Sequence, residues 1–261
     1  RRGGALTPVF KADANVRTVF VHRLRYDTAA GTLLSLESEL VPVTEEIPED
    51  PATAAVVEHW VGQAFDAFRA AGFEPEALVA TTTEALDGRE SSVRNQPTNL
   101  TDLVAEAMLG AAGAGSGADP GTSPQAAIYN AGSIRIDDVL PAGPVTQYDV
   151  IRVLPFGGEI VLTEIKGALL AKVLDQGLAN HGKGGYLQKT GITEADGGWQ
   201  VQGHPLDPAA TYRIALTDFL LTGRETGLDY LTKDNPDLAV GETMGDTRKA
   251  VIAELERRYG R

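Results

Sequence analysis

The sequence contains no cysteine. Disulfides, zinc–thiolate sites and cysteine nucleophiles are therefore excluded, although the compartment stays open. Histidine is scarce: His22, His59, His181 and His204 are the full set. None stands at metal-ligand spacing from another, so a histidine-built metal centre is not expected. Positive charge is also short, with 23 Lys+Arg against 36 Asp+Glu and a formal net charge of -13. Such a surface does not suit a nucleic-acid polymer, whose binding depends on basic groups displacing counterions. It does not suit an anionic membrane surface either. A phosphate ligand remains open, because a few arginines can line one cleft of an acidic protein. No apolar run is long enough to span a membrane. The opening RRGGALTPVF has neither an initiator methionine nor the pattern of a signal peptide, and is expected to be a boundary left by processing or cloning.

Reaction signatures are missing as well. No Gly-x-Ser-x-Gly elbow is present. The glycine-rich GAGSGADPGTSP is followed by no Gly-Lys-Ser/Thr, so it reads as a surface loop and not as a phosphate-binding loop. Asp137-Asp138 and Glu45-Glu46 read as solvated charge. No reaction centre can be identified from these residues.

What is present is an ordinary folded chain, 43% hydrophobic and 23% charged, with no internal repeat. Residues 17–24 and 33–43 read as two strands joined through AAGT, a pair that must belong to something larger. Pro51 opens a helix in which Val56, Val57, Trp60, Val61, Phe65 and Phe68 recur at helical spacing up to Gly72. Beyond it, ALVATTTEALDG reads as a strand and TNLTDLVAEAMLGAA as a helix capped by Thr98 or Asn99. QAAIYNAGSIR is a short apolar strand that turns at Asn130. VTQYDVIRVLPFGGEIVLTEI gives a helical turn at 146–150, a strand to about 154, a corner at Phe156 and a second strand. A helix follows at 167–177. GGYLQKTGITE and GWQVQG read as strands paired around Asp196-Gly197-Gly198. TYRIALTDFLL is another strand, GRETGLDYL a loop with a short helix, and GDTRKAVIAELERRYG a closing helix. Strands and helices mix without strict alternation, which predicts an α+β fold with a mixed sheet and flanking helices. Three segments are expected: 1–45, a connecting helical segment at 46–75, and a main domain at 76–261.

Six residues suit ligand binding. Phe156 and Phe219 both sit at corners next to glycine-bearing loops, where two rings can clamp a flat heterocycle. Their pattern equally allows ordinary core packing. Asn130 ends a strand beside small residues that let a ligand approach the backbone. Arg135 and Arg94 lie at a strand end and a helix start, where guanidinium groups can bind phosphate or sugar hydroxyls. Each also fits a surface ion pair in a protein with surplus acid. Glu225 is placed to accept hydrogen bonds from ribose hydroxyls.

LDGRESSVRNQPTNLTDLVAEAM, NAGSIR, VTQYDVIRVLPFGGEIVLTEIKGALL, GGYLQKTGI and PLDPAATYRIALTDFLLTGRETGLDYL together resemble the 5'-nucleotidase C-terminal domain, in order and spacing, over about residues 77–232. This family includes animal ecto-5'-nucleotidase and the bacterial periplasmic UDP-sugar hydrolase/5'-nucleotidase. The resemblance implies a nucleoside-holding domain joined by a long helix to an N-terminal metallophosphoesterase domain. Two divalent metal ions in that other domain activate water for attack on phosphate, and rotation about the helix brings substrate to them. Residues 1–45 then resemble the last strands of the metallophosphoesterase domain. The Asp-x-His, Gly-Asn-His-Asp/Glu and Gly-His-x-His motifs that would hold the metals are not in this sequence. No metal or other cofactor is therefore expected in this chain, and no hydrolysis from it alone.

By the same resemblance Phe156 and Phe219 are the two base-stacking rings, and Asn130, Arg135 and Arg94 are nucleotide contacts. Glu225 stands near a ribose-binding aspartate, with GRETG in place of the commoner GGDG, and Ala131 replaces a family glycine. The implied partners are a nucleoside 5'-monophosphate or related nucleotide and the chain's own catalytic domain. The implied location is extracytoplasmic. Two other readings stay open: a non-catalytic nucleoside-binding or adhesion module, and a structural domain whose aromatics are simply core.

Overall fold

A computed structural model describes residues 8–115, 123–195 and 197–260. The chain divides into two compact units, residues 1–64 and 65–261, with the boundary inside a helix. The first unit contains an antiparallel ribbon of β1 (Thr18–Asp27) and β2 (Thr32–Pro42), in register through Phe20↔Leu40 and bulged between Arg25 and Tyr26. The Asp27 carboxylate accepts from the amides of Ala29 and Ala30 and so closes the turn. No residue of either strand is buried, as expected for a two-stranded ribbon. Helix α1 (Pro51–Ala70) begins with proline at its first position and stops before Gly72, whose φ of +81° suits only glycine.

The second unit runs through β3 (Leu78–Thr82), β4 (Leu86–Asp87), α2 (Glu90–Val93) and α3 (Asn99–Gly115). It continues with β5 (Ala126–Asn130), β6 (Val139–Leu140), β7 (Gly143–Thr146), α4 (Gln147–Val153), β8 (Glu159–Lys166) and α5 (Gly167–Ala179). The last elements are β9 (Leu187–Thr190), β10 (Ile192–Ala195), β11 (Gly198–Val201), β12 (His204–Pro205), β13 (Thr211–Thr217), β14 (Leu238–Asp246) and α6 (Thr247–Tyr259). A five-stranded sheet in the order β14-β8-β13-β5-β9 is its centre. β13 runs parallel to β5 and antiparallel to β8, so the sheet is mixed and the α+β expectation holds.

Both faces of the sheet are covered. Ala127, Tyr129 and Ala215 point to one side, among Leu100, Val104 and Met108 of α3 and Val251, Ile252 and Leu255 of α6. Ala126, Ile128, Ile214 and Leu216 point to the other, against Leu169, Leu170, Val173 and Leu174 of α5. The alternation follows the period of two along a strand. Double coverage explains why β5 reads as an unbroken apolar run.

Several local expectations need correction. The strand expected at about 151–154 is the second half of α4. Thr146 caps that helix reciprocally with Asp149, and Val150, Ile151 and Val153 are buried on it. ALVATTTEALDG holds two strands, β3 and β4, not one. GGYLQKTGITE breaks at Gly191, whose φ is +78°. β9 joins the central sheet, while β10 pairs with β11. Asp196 of the expected turn lies outside the described residues, as does 116–122 of the glycine-rich stretch. GRETGLDYL forms turns without a helix. Thr98, whose Oγ accepts from the amide of Thr101, is the cap of α3.

Three carboxylates tie this unit to pH. Arg89 holds Asp87 far below the usual carboxylate range by a two-point hydrogen bond, against a smaller effect of burial. Glu254 is lowered chiefly by Arg257 and then by Arg258, again against burial. Burial alone would raise Asp246, but hydrogen bonds from Arg248 carry it below its ordinary value. Asp102, raised by burial and by Glu106, works in the opposite direction. A carboxylate depressed in the folded state adds stability above its unfolded pKa, and loses it as pH falls through the folded value. The urea midpoint should therefore fall as pH is lowered from about 5 to about 3, a change that denaturation curves at stepped pH will reveal.

Candidate functional site

The sheet assembles the site through its strand directions. β5 and β13 are parallel and end together at Asn130 and Thr217. β8 is antiparallel to β13, pairing Ile160 with Thr217, so its entry through Gly157 and Gly158 lies at the same sheet end. β9 pairs Leu187 with Asn130, which brings the Gly184–Gly185 turn there too. At this end a cleft of about 610 Å³ opens, lined among others by Asn130, Arg135, Phe156, Gly158, Phe219 and Glu225. Five of the six candidate residues thus share one cavity, although they are spread over almost a hundred positions of sequence.

Both rings are open to solvent. Phe156 is 74% exposed and Phe219 41%, high values for phenylalanine. The reading in which both are ordinary core residues does not fit these exposures. Phe156 follows α4 at a corner where Gly157 and Gly158 take φ of +63° and +116°, conformations that favour glycine. Their missing side chains leave the ring uncovered. Phe219 is the second residue of a short 3-10 turn, Asp218–Leu221, whose Leu220 is fully buried and anchors it. The Asp218 carboxylate accepts from the Phe219 amide and would lie 3.0 Å from a Cβ at Gly158, so the two ring-bearing corners touch.

The polar groups are oriented by local bonds. Asn130 is nearly buried, and its Oδ1 accepts from Ser133 Oγ at 2.8 Å. The Arg135 guanidinium stands 5.4 Å from the centre of the Phe156 ring. It has no carboxylate partner among the described residues, in a chain with a large excess of acid. Glu225 Oε1 accepts from the amide of Thr226 at 2.7 Å. Arg94 does not line this cleft. Its guanidinium is engaged with Glu90 one turn earlier, its carbonyl accepts from Gly182, and its buried Nε has no hydrogen-bond partner among the described residues.

Sequence reasoning missed Ser133, Gly184, Thr217 and Asp218 in the lining. Ser133 was legible, since a serine three residues after an asparagine is placed to bond its side chain. Thr217 is a buried hydroxyl with no hydrogen-bond partner among the described residues, at the end of an apolar strand, a feature that only the packing exposes. No group of three or more His, Cys, Asp or Glu among the described residues is arranged to hold a metal ion. No helix among them is long and apolar enough to cross a membrane.

The family pattern described as "5'-nucleotidase, C-terminal domain" matches residues 78–232, well over half of the chain. The chain belongs to the 5'-nucleotidase C-terminal domain family. Every cleft residue lies inside the family segment, whereas β14 and α6 lie beyond it. Protein UshA of Yersinia enterocolitica is 31% identical over 193 residues, covering 71% of this chain and 32% of that protein. Human 5'-nucleotidase is 27% identical over 192 residues, covering 72% of this chain and 32% of its own. The solved 5'-nucleotidase precursor of Thermus thermophilus superposes with a TM-score of 0.69 at 25% identity, over 92% of this chain and 47% of that one. This 5'-nucleotidase C-terminal domain chain thus spans about a third of the length of these curated relatives.

Proposed function

We propose that the cleft holds a nucleoside 5'-monophosphate or a related nucleotide, with its base between Phe156 and Phe219. The observation that carries this reading is the cleft itself, where two solvent-exposed rings and a cation without a carboxylate partner among the described residues line one cavity. Exposed aromatic faces bind any base by stacking. Arg135 supplies a fork of donors for phosphate oxygens, and Glu225 accepts from ribose hydroxyls. Asn130, held by Ser133, fixes the orientation of the ligand. In this reading Arg94 contributes only if a ligand draws it away from Glu90.

The chain is then the substrate-holding part of a longer, metal-dependent phosphohydrolase of the 5'-nucleotidase type. Residues 1–45 are the last strands of a metallophosphoesterase domain, 46–75 the connector, and 76–261 the nucleoside-binding domain. Two divalent metal ions, held in that other domain, supply the activated water. The extracytoplasmic location belongs to the same reading. Its support is the family membership and the share of the relatives' length that this chain spans.

Calorimetric titration without metal tests the binding step. Adenosine and AMP should both bind, AMP more tightly. Arg135→Gln should weaken AMP about tenfold and adenosine by no more than about twofold, because only the phosphate loses a charged hydrogen-bond partner. Absence of binding at millimolar ligand overturns the proposal for this chain.

A further inference from the structure

The corner that carries Phe156 is held from outside the family segment. Gly158, two residues after the ring, offers its carbonyl to the start of α6, where both the amide and the Oγ of the buried Thr247 donate to it, at 2.9 and 3.0 Å. The next residue, Arg248, fills the space beside Gly157. A Cβ on Gly157 would lie 2.7 Å from both Cζ and Nη2 of Arg248 and 3.0 Å from Nε. The guanidinium thus occupies the volume in which residue 157 would otherwise carry a side chain.

Arg248 is itself fixed on two further sides. Its Nε and Nη2 donate to the two oxygens of Asp246, at 3.0 and 2.6 Å. Its Cζ stands 4.6 Å from the centre of the Phe73 ring, which is 2% exposed. A planar fork can satisfy a carboxylate along one edge and an aromatic ring on its face, which a lysine ammonium cannot.

Phe73 stands three residues past the end of α1. The residues after it grip the other end of the ring-bearing segment: Gln147 Oε1 accepts from the Glu74 amide at 2.8 Å, and Pro75 O accepts from the Tyr148 amide at 2.8 Å. Gln147 also donates its amide to Ala77 O at 3.0 Å. Helix α4 then leads straight into Pro155 and Phe156. The segment 147–158 is therefore tied at its start to residues 74–77 and at its end, through Thr247 and Arg248, to α6 and Phe73.

We propose that Arg248 is a positioning residue for Phe156, wedged between Gly157 and Phe73 so that the ring's corner and the residue following α1 move as one body. The inference rests on the reading of Phe156 as a base-stacking ring. Its consequence is that a displacement at the exit of α1 reaches the ring's corner through the Arg248 guanidinium, beside the bonds that tie residues 74–77 to the start of α4.

The test uses the full chain with 4-fluorophenylalanine at position 156 and 5-fluorotryptophan at the tryptophans, observed by fluorine NMR without ligand. Arg248→Met and Phe73→Leu should each shift or broaden the resonance of residue 156. The Trp199 signal, from the opposite core cluster, should stay in place. Arg248→Lys should give an intermediate result. Adenosine should then bind Arg248→Met about tenfold more weakly, as expected when a stacking contact is partly lost. An unchanged residue-156 resonance in folded Arg248→Met overturns the inference and leaves the nucleoside reading intact. If that variant does not fold, Arg248→Lys and Phe73→Leu decide by the same criterion. A shifted resonance with unchanged adenosine affinity in the variant also overturns it. A shifted resonance in Arg248→Met, when the parent chain binds no nucleoside, supports the mechanical role and removes the nucleoside reading.

Discussion

Phe156→Ala should weaken adenosine binding by about one to two orders of magnitude while the melting temperature stays nearly unchanged, because stacking is worth roughly 1–3 kcal/mol per base. The separation follows from exposure. A ring that is 74% exposed buries little apolar area against its own protein, so its removal costs little folding energy. Against a base the same ring is buried on one whole face. Phe219→Ala should weaken binding comparably and cost more stability, since that ring is only 41% exposed and continues into the buried Leu220. Guanosine and uridine should lose affinity along with adenosine, because every base offers a π-face. Calorimetry paired with thermal melts separates the two effects. A variant that loses its fold together with its binding argues instead that the ring is structural.

The parts of this molecule that could be read from sequence are those whose signal is local or repeated. α1 spans 20 residues, and its apolar spacing, with Pro51 at its start and Gly72 just past its end, marks both ends. The central sheet was legible where strands are apolar, as in β5, β8 and β13. α4 was misread in its second half because seven residues are too few for helical period to stand out against an apolar run, and Leu154 and Pro155 extend that run. The reciprocal cap between Thr146 and Asp149 was the better signal. β14 was not read at all. It lies at the sheet edge, its register shifts twice, and of its nine residues only Leu238 is buried, so it carries no alternation.

The site shows the same division. The rings and Asn130 stand at strand ends and glycine corners, which sequence marks well. That they meet in one cleft depends on the parallel pairing of β13 with β5, a contact between residues almost ninety positions apart. The diversion of Arg94 to Glu90 was visible as an i, i+4 pair, but such a pair alone cannot say which partner prevails.

Asn180→Ala should lower stability by about 2–4 kcal/mol, read as a shift in the urea midpoint, because it leaves several buried polar groups without partners. Asn180 is 1% exposed and joins the turn at Gly185 to the turn at Thr226. Its Nδ2 donates to Gly185 O at 3.2 Å and to Thr226 O at 2.8 Å. Its Oδ1 accepts from Gln176 Nε2 at 3.1 Å. One of these turns carries Glu225 and the other precedes β9 at the cleft, and a Cβ on Gly185 would lie 2.6 Å from Asn180 Nδ2 and 2.7 Å from Glu225 Oε1. The approach is so close that only glycine fits, and the asparagine amide is what holds it. Asn180→Asp should cost stability as well, since an ionised carboxylate cannot donate to two carbonyls and is poorly tolerated where water is excluded. Glu225→Ala is the informative contrast. It removes the proposed ribose contact without touching the amide that joins the turns, so its urea midpoint should stay near that of the parent while adenosine binding falls. If Asn180→Ala keeps the parent's midpoint, the two turns are held by something other than this amide. The Glu225 turn must then be held by its other contacts, the buried Leu228 and the packing of Gly227 on Gln176 of α5.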